Sequence, residues 1–177
     1  MPAVELTLRW TPLELRTLAN RITLLPMIEA TGHLDWLRES DGFGSCVLID
    51  RESTETPSAV FVFNTGEIWS IDTAYLSFET DAIYISEMEK CYNRCLRDYS
   101  EFLRNLGVNP PYCWEAGITG AKDRRLARGT FAGFVEPKCV STSIAREGIY
   151  DGEQLPEKAL LPFFGAIYED AGIRRPG

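Results

Sequence analysis

Apolar residues alternate along VELTLRW (4–10), so Val4, Leu6, Leu8 and Trp10 fall on one side of an extended chain, and the spacing predicts a strand. Thr11-Pro12-Leu13-Glu14 then carries helix-start signals: Thr as N-cap, Pro at the first helical position and Glu closing a capping box. Leu15, Leu18, Ile22 and Leu25 recur at helical spacing, and Pro26 followed by Gly32 stops that helix. His33, in Gly32-His33-Leu34, reads as part of the helix exit.

The stretch 43–72 returns to strand patterning. FGSCVLID (43–50) and SAVFVFNT (58–65) flank the polar turn RESTETP, and Asn64-Thr65-Gly66 leads tightly into EIWSID (67–72), which predicts a hairpin. AIYI (82–85) is a short strand or a lead-in to the clearest element of the chain. Ser86-Glu87-Met88-Glu89 has the form of a capping box. Met88, Tyr92, Cys95, Leu96, Tyr99, Phe102, Leu103 and Leu106 then hold one face of a helix over about 87–106. Gly107 supplies a left-handed cap, and Pro110-Pro111 forbids continuation.

Beyond it, PYCWEAGIT (111–119), TFAGFVEP (130–137) and KCVSTSIAREGIY (138–150) read as strands, with the turn GAKDRRLARG (120–129) between the first two. A closing helix is expected from about Pro162 to Asp170, ending at Gly172 and burying Phe163, Phe164 and Ile167. The expected fold is α/β or α+β: a mixed sheet of about six to eight short strands packed against about three helices, in a single domain over residues 1–177.

Composition narrows the class without changing the fold. The chain is 45% hydrophobic and 25% charged, ordinary for a globular protein of 177 residues. It has no apolar run of membrane-spanning length, and its start lacks the apolar core of a secretory signal, so a cytoplasmic location is expected. Five cysteines, an odd number lying in or beside apolar runs, fit free thiols in a reducing compartment. The net charge of −8 is unevenly spread. Residues 1–81 hold five basic and thirteen acidic side chains, whereas residues 82–177 hold thirteen of each. The chain as a whole lacks the positive footprint on which autonomous nucleic-acid binding rests, and an acidic half suits either a solvated surface or a basic partner.

Four constellations offer chemistry. His33 is the single histidine, so Ser-His-Asp or Cys-His catalysis would have to use it, and multi-histidine zinc sites are excluded. Cys91 and Cys95 share a helical side. A metal site would need Cys113 and Cys139 to converge on them, so packing as small hydrophobes is the expectation, with no metal. Asp72, Glu79, Asp81, Glu87 and Glu89, with Asp50 and Glu67 near in sequence, could hold a divalent ion for phosphodiester hydrolysis. Helix capping and the dipole explain Glu87 and Glu89, the rest lie in turns, and nothing resembles a spaced nuclease signature. Lys122, Arg124, Arg125 and Arg128 form the one basic concentration, in a loop able to grip phosphate or an acidic partner surface. It does not match a P-loop, and the alternative is an exposed, solvated tip. Trp10, Trp36, Trp69 and Trp114 read as core or rim residues, since no aromatic series alternates with basic residues.

Three segments together resemble a known arrangement: FVFNTGEIWSID (61–72), LGVNPPYCWEAGITGAKDRRL (106–126) and LLPFFGAIYEDAGIRRP (160–176). In this order they are similar to the region that follows the Schlafen/AlbA-type domain in bacterial DNA-binding or ATP-binding proteins. The resemblance covers roughly residues 58–176. Asp123 stands where a glycine would follow Lys122, and Tyr168 where tryptophan is commoner. The AlbA-type domain itself has no counterpart, so the resemblance implies no catalytic residue and no cofactor. It implies an accessory module beside a protein partner or an upstream AlbA-type domain, with nucleic acid reached only indirectly. The expected function is therefore a non-enzymatic interaction or sensor module serving a nucleic-acid-acting partner. The alternatives are a metal-dependent phosphodiester hydrolase using the 72–89 carboxylates, and direct nucleic-acid or nucleotide binding through the 122–128 loop.

Overall fold

The computed structural model describes residues 6–11, 33–39, 41–48, 58–72, 81–127 and 137–176. In these the alternating segments form strands: β1 (Leu6–Thr11), β2 (His33–Glu39), β3 (Gly42–Leu48), β4 (Ser58–Phe63), β5 (Ile68–Asp72), β6 (Ala82–Tyr84), β7 (Tyr112–Thr119), β8 (Arg125–Ala127) and β9 (Ser143–Tyr150). The helices are α1 (Ile85–Asn105) and α2 (Pro156–Asp170). The fold is mixed α+β. Seven strands form one sheet in the order β2-β3-β4-β5-β1-β7-β9 with every pairing antiparallel, while β6 and β8 pair in parallel. The helix expected over 12–25 and most of the strand expected over 130–137 lie outside the described residues.

The period-two pattern decides which face is covered. On β5, Ile68, Ser70 and Asp72 are buried while Trp69 and Ile71 are exposed. On β7, Tyr112, Trp114, Ala116 and Ile118 are buried in the same alternation. Helix α1 lies on this inner face, where the Tyr92 hydroxyl donates to the Gly117 carbonyl at 2.6 Å and the Tyr99 hydroxyl to Ser70 Oγ at 2.9 Å. Helix α2 closes the layer, with the Phe163 and Phe164 rings 4.9 and 6.4 Å from that of Tyr92. One continuous cluster thus joins both helices to β4, β5, β7 and β9. As expected, Tyr92, Leu96, Tyr99 and Leu103 are buried in it.

Three expectations need correction. The segment from His33 is not a helix exit: it opens β2, paired to β3 from His33↔Leu48 to Glu39↔Gly42. Helix α1 begins at Ile85 with Tyr84 as its boundary residue and no side-chain cap, so Ser86-Glu89 is not a capping box. The chain runs straight from β6 into the helix, which puts Ser86 already within the first turn. Helix α2 begins at Pro156, not Pro162; Pro156 takes the first-turn role, and Pro162 sits inside the helix on its exposed side. The expected ends do hold. Gly107 (φ +81°) and Gly172 (φ +72°) adopt left-handed backbone, and the Val108 and Ile173 N–H groups bond back to the Leu103 and Tyr168 carbonyls.

At the β9 border of the sheet, the Ile144 carbonyl lies on the β7 side, 3.4 Å from where a Cβ on Gly117 would stand. The next carbonyl, that of Ala145, therefore points away from β7. It accepts a hydrogen bond from Arg146 Nη1 at 2.7 Å.

Candidate functional site

The basic run 122–128 does not fold as a cluster of outward cations. Ala121 N–H bonds to the Thr142 carbonyl, Asp123 N–H to the Cys139 carbonyl and Leu126 N–H to the Pro137 carbonyl, so 121–126 is laced against 137–142. That lacing turns Arg124 inward. It is 2% exposed, and its Nε donates to the Gly120 carbonyl at 3.2 Å, which corrects the exposed, solvated tip. Arg125 is half-buried and forks onto Asp81, Nε to Oδ1 at 3.0 Å and Nη2 to Oδ1 at 2.6 Å. This pairing holds the Asp81 carboxyl below the usual carboxylate range. Lys122 is exposed, and Arg128 lies outside the described residues. Asp123 itself takes the left-handed backbone (φ 65°) that a glycine would have supplied there.

The carboxylates also separate. Asp72 is fully buried on the inner face, Asp81 meets Arg125, and Glu87 meets Lys90 at 2.7 Å. Glu89 meets Arg175 at 2.9 Å, and Glu67 Oε1 accepts from Trp69 Nε1 at 2.6 Å. Asp50 and Glu79 lie outside the described residues. Among the described residues no three His, Cys, Asp or Glu side chains come together to hold a metal ion.

Cys91 and Cys95 are both buried on α1 and act on each other. The hydrogen bond from the Cys95 thiol holds Cys91 below the usual thiol value, and the same bond with burial pushes Cys95 well up. Burial pushes Tyr92 and Tyr99 well above their ordinary value, and burial with the nearby Asp170 charge pushes Cys139 up to about 11. Asp170 anchors the neighbouring chain by accepting the Val140 N–H at 2.8 Å and the Ser141 N–H at 3.0 Å, together with the Ser141 hydroxyl. These contacts brace the core.

What the fold does present is the outer face of the sheet. There Phe61 and Phe63 on β4 meet edge to face with ring centroids 4.8 Å apart, and Phe63 meets Trp69 at 5.4 Å. Phe61 lies over bare backbone, since a Cβ on Gly42 or Gly44 would stand 2.6 or 3.0 Å from its ring. Trp69 is 41% and Ile71 38% exposed, and across the sheet Cys113 and Glu115 on β7 and Glu147 and Ile149 on β9 are exposed on the same side. The reading of Trp69 as a core or rim residue missed this group. The alternation in FVFNTGEIWSID placed Phe61 and Phe63 on one face, and the hairpin register Phe61↔Trp69 adds the tryptophan.

No protein-family model, curated protein or solved structure matches the chain. Among the described residues no helix is long and apolar enough to cross a membrane.

Proposed function

We propose that the chain is a cytoplasmic, non-enzymatic interaction module that serves a nucleic-acid-acting protein partner, and that it docks through the outer face of its seven-stranded sheet. The carrying observation is the exposed group formed by Trp69 and Ile71 beside Phe61 and Phe63. Large apolar side chains gathered at one open place mark binding surfaces more often than isolated ones do. The partner's nucleic-acid role comes from the resemblance of residues 58–176 to the region following Schlafen/AlbA-type domains. The dispersal of the carboxylates and the inward turn of Arg124 give the hydrolase and phosphate-gripping alternatives less support.

The test is affinity capture by the wild-type chain and by Ile71→Glu, with bound proteins identified by mass spectrometry. A nucleic-acid-processing protein should be enriched by the wild type and lost with Ile71→Glu. Two outcomes sink the reading. One is metal-dependent turnover of oligonucleotides by the purified chain. The other is micromolar oligonucleotide binding at moderate salt that Ile71→Glu leaves untouched.

A further inference from the structure

We infer that the outer-face group Phe61–Phe63–Trp69, with Glu67 at its rim, is a receptor for a cationic side chain, lysine or arginine, presented by a basic segment of a partner protein. This rests on the reading of the outer face as an interaction surface and adds what the partner must bring to it.

Ring geometry is the first ground. The two successive aromatic contacts are steeply inclined, 66° between Phe61 and Phe63 and 68° between Phe63 and Trp69. Rings so arranged turn their faces in different directions around a common corner. A cation within about 6 Å of a ring centroid is attracted by the negative face, most strongly at tryptophan. The bare backbone at Gly42 and Gly44 lets Phe61 lie flat and helps build that corner.

Charge is the second and independent ground. Glu67 sits at the corner itself, fixed by its hydrogen bond from the Trp69 indole at 2.6 Å. Farther along the same face Glu115 and Glu147 are exposed, and Arg9 occupies the register position between Trp69 and Glu115. Among the described side chains, three glutamates, Glu67, Glu115 and Glu147, thus lie on this side of the sheet. The described glutamates make this side acidic, in keeping with the net −8 of residues 1–81. Such a face repels a phosphate backbone and attracts a basic segment, whose aliphatic stems also suit Ile71 and Phe61.

The experiment uses the whole chain, labelled with nitrogen-15, and follows the Trp69 indole N–H by NMR, its signal identified by its loss in Trp69→Phe. The probe is an acetylated tetra-arginine amide, with the neutral isostere tetra-citrulline as control. Tetra-arginine should shift the Trp69 signal saturably and tetra-citrulline should not. Glu67→Gln and Phe63→Leu should each weaken binding by about threefold or more, and Lys122→Ala should leave it unchanged.

The inference is overturned if the Trp69 signal stays still, if tetra-citrulline moves it equally, or if Glu67→Gln and Phe63→Leu have no effect. Self-association in sedimentation that Ile71→Glu abolishes would assign the face to a second copy and overturn it as well. So would displacement of tetra-arginine from this corner by an oligonucleotide that itself shifts Trp69. Loss of partner capture in Ile71→Glu without tetra-arginine binding leaves the interaction module standing and sinks only the cation receptor. Tetra-arginine binding at Trp69 with capture unaffected by Ile71→Glu does the reverse.

Discussion

Lys122 and Arg124 are two residues apart in one basic cluster, separated by Asp123, yet they stand on opposite sides of the solvent boundary. Charge alone says nothing about direction; the backbone bonds that tie 121–126 to 137–142 decide it. Arg124 packs its stem in the interior and donates to Gly120, so truncating it removes buried contacts and a partner for that carbonyl. Arg124→Ala is expected to lower unfolding free energy by about 2–4 kcal/mol, against less than about 0.5 kcal/mol for Lys122→Ala, as read from urea unfolding midpoints. Equal, small effects would show that Arg124 is not an interior residue. The basic cluster was legible in the sequence as composition and illegible as a surface. The aromatic corner is the converse: its members were each visible, but only the register Phe61↔Trp69 brings them together.

Among elements, those fixed by local signals were the readable ones. Helix α1 has its apolar stripe, its left-handed Gly107 and its full burial pattern within one stretch of chain. β2 has no such stripe or cap in its sequence: HLDWLRE alternates weakly and becomes a strand because β3 supplies its hydrogen bonds, a nonlocal cause. Helix α2 was misplaced at its start because proline carries two meanings, a first-turn residue at Pro156 and an interior interruption at Pro162. The interior proline withholds an N–H from the turn before it. Pro162 faces solvent, so its replacement disturbs no core contact. Pro162→Ala should therefore raise stability by about 1 kcal/mol or more, seen as a higher melting temperature. A lower melting temperature would mean that the ring has a packing role.

At the scale of the whole molecule, both helices among the described residues pack on the inner side of the sheet and seal the interior there. The cysteines measure that seal. Cys91, Cys95 and Cys139 are buried in the core cluster, Cys46 is buried on the outer-face register, and Cys113 alone among the five is exposed. An aromatic disulfide reagent should modify one thiol rapidly in the native protein and all five after unfolding, with Cys113→Ser removing the fast phase. Rapid reaction of Cys91, whose thiol is held below its usual value, would show that the layer over it opens readily.

The border at β9 has a consequence for crowded solution. A terminal strand is a template on which the next chain can zip, and growth of that kind ends in fibrils. An incoming strand must find the outward Ala145 carbonyl vacant, and the Arg146 guanidinium already occupies it. Fibre growth along this border would have to begin by evicting a charge from its own backbone, a cost that a bare edge does not impose.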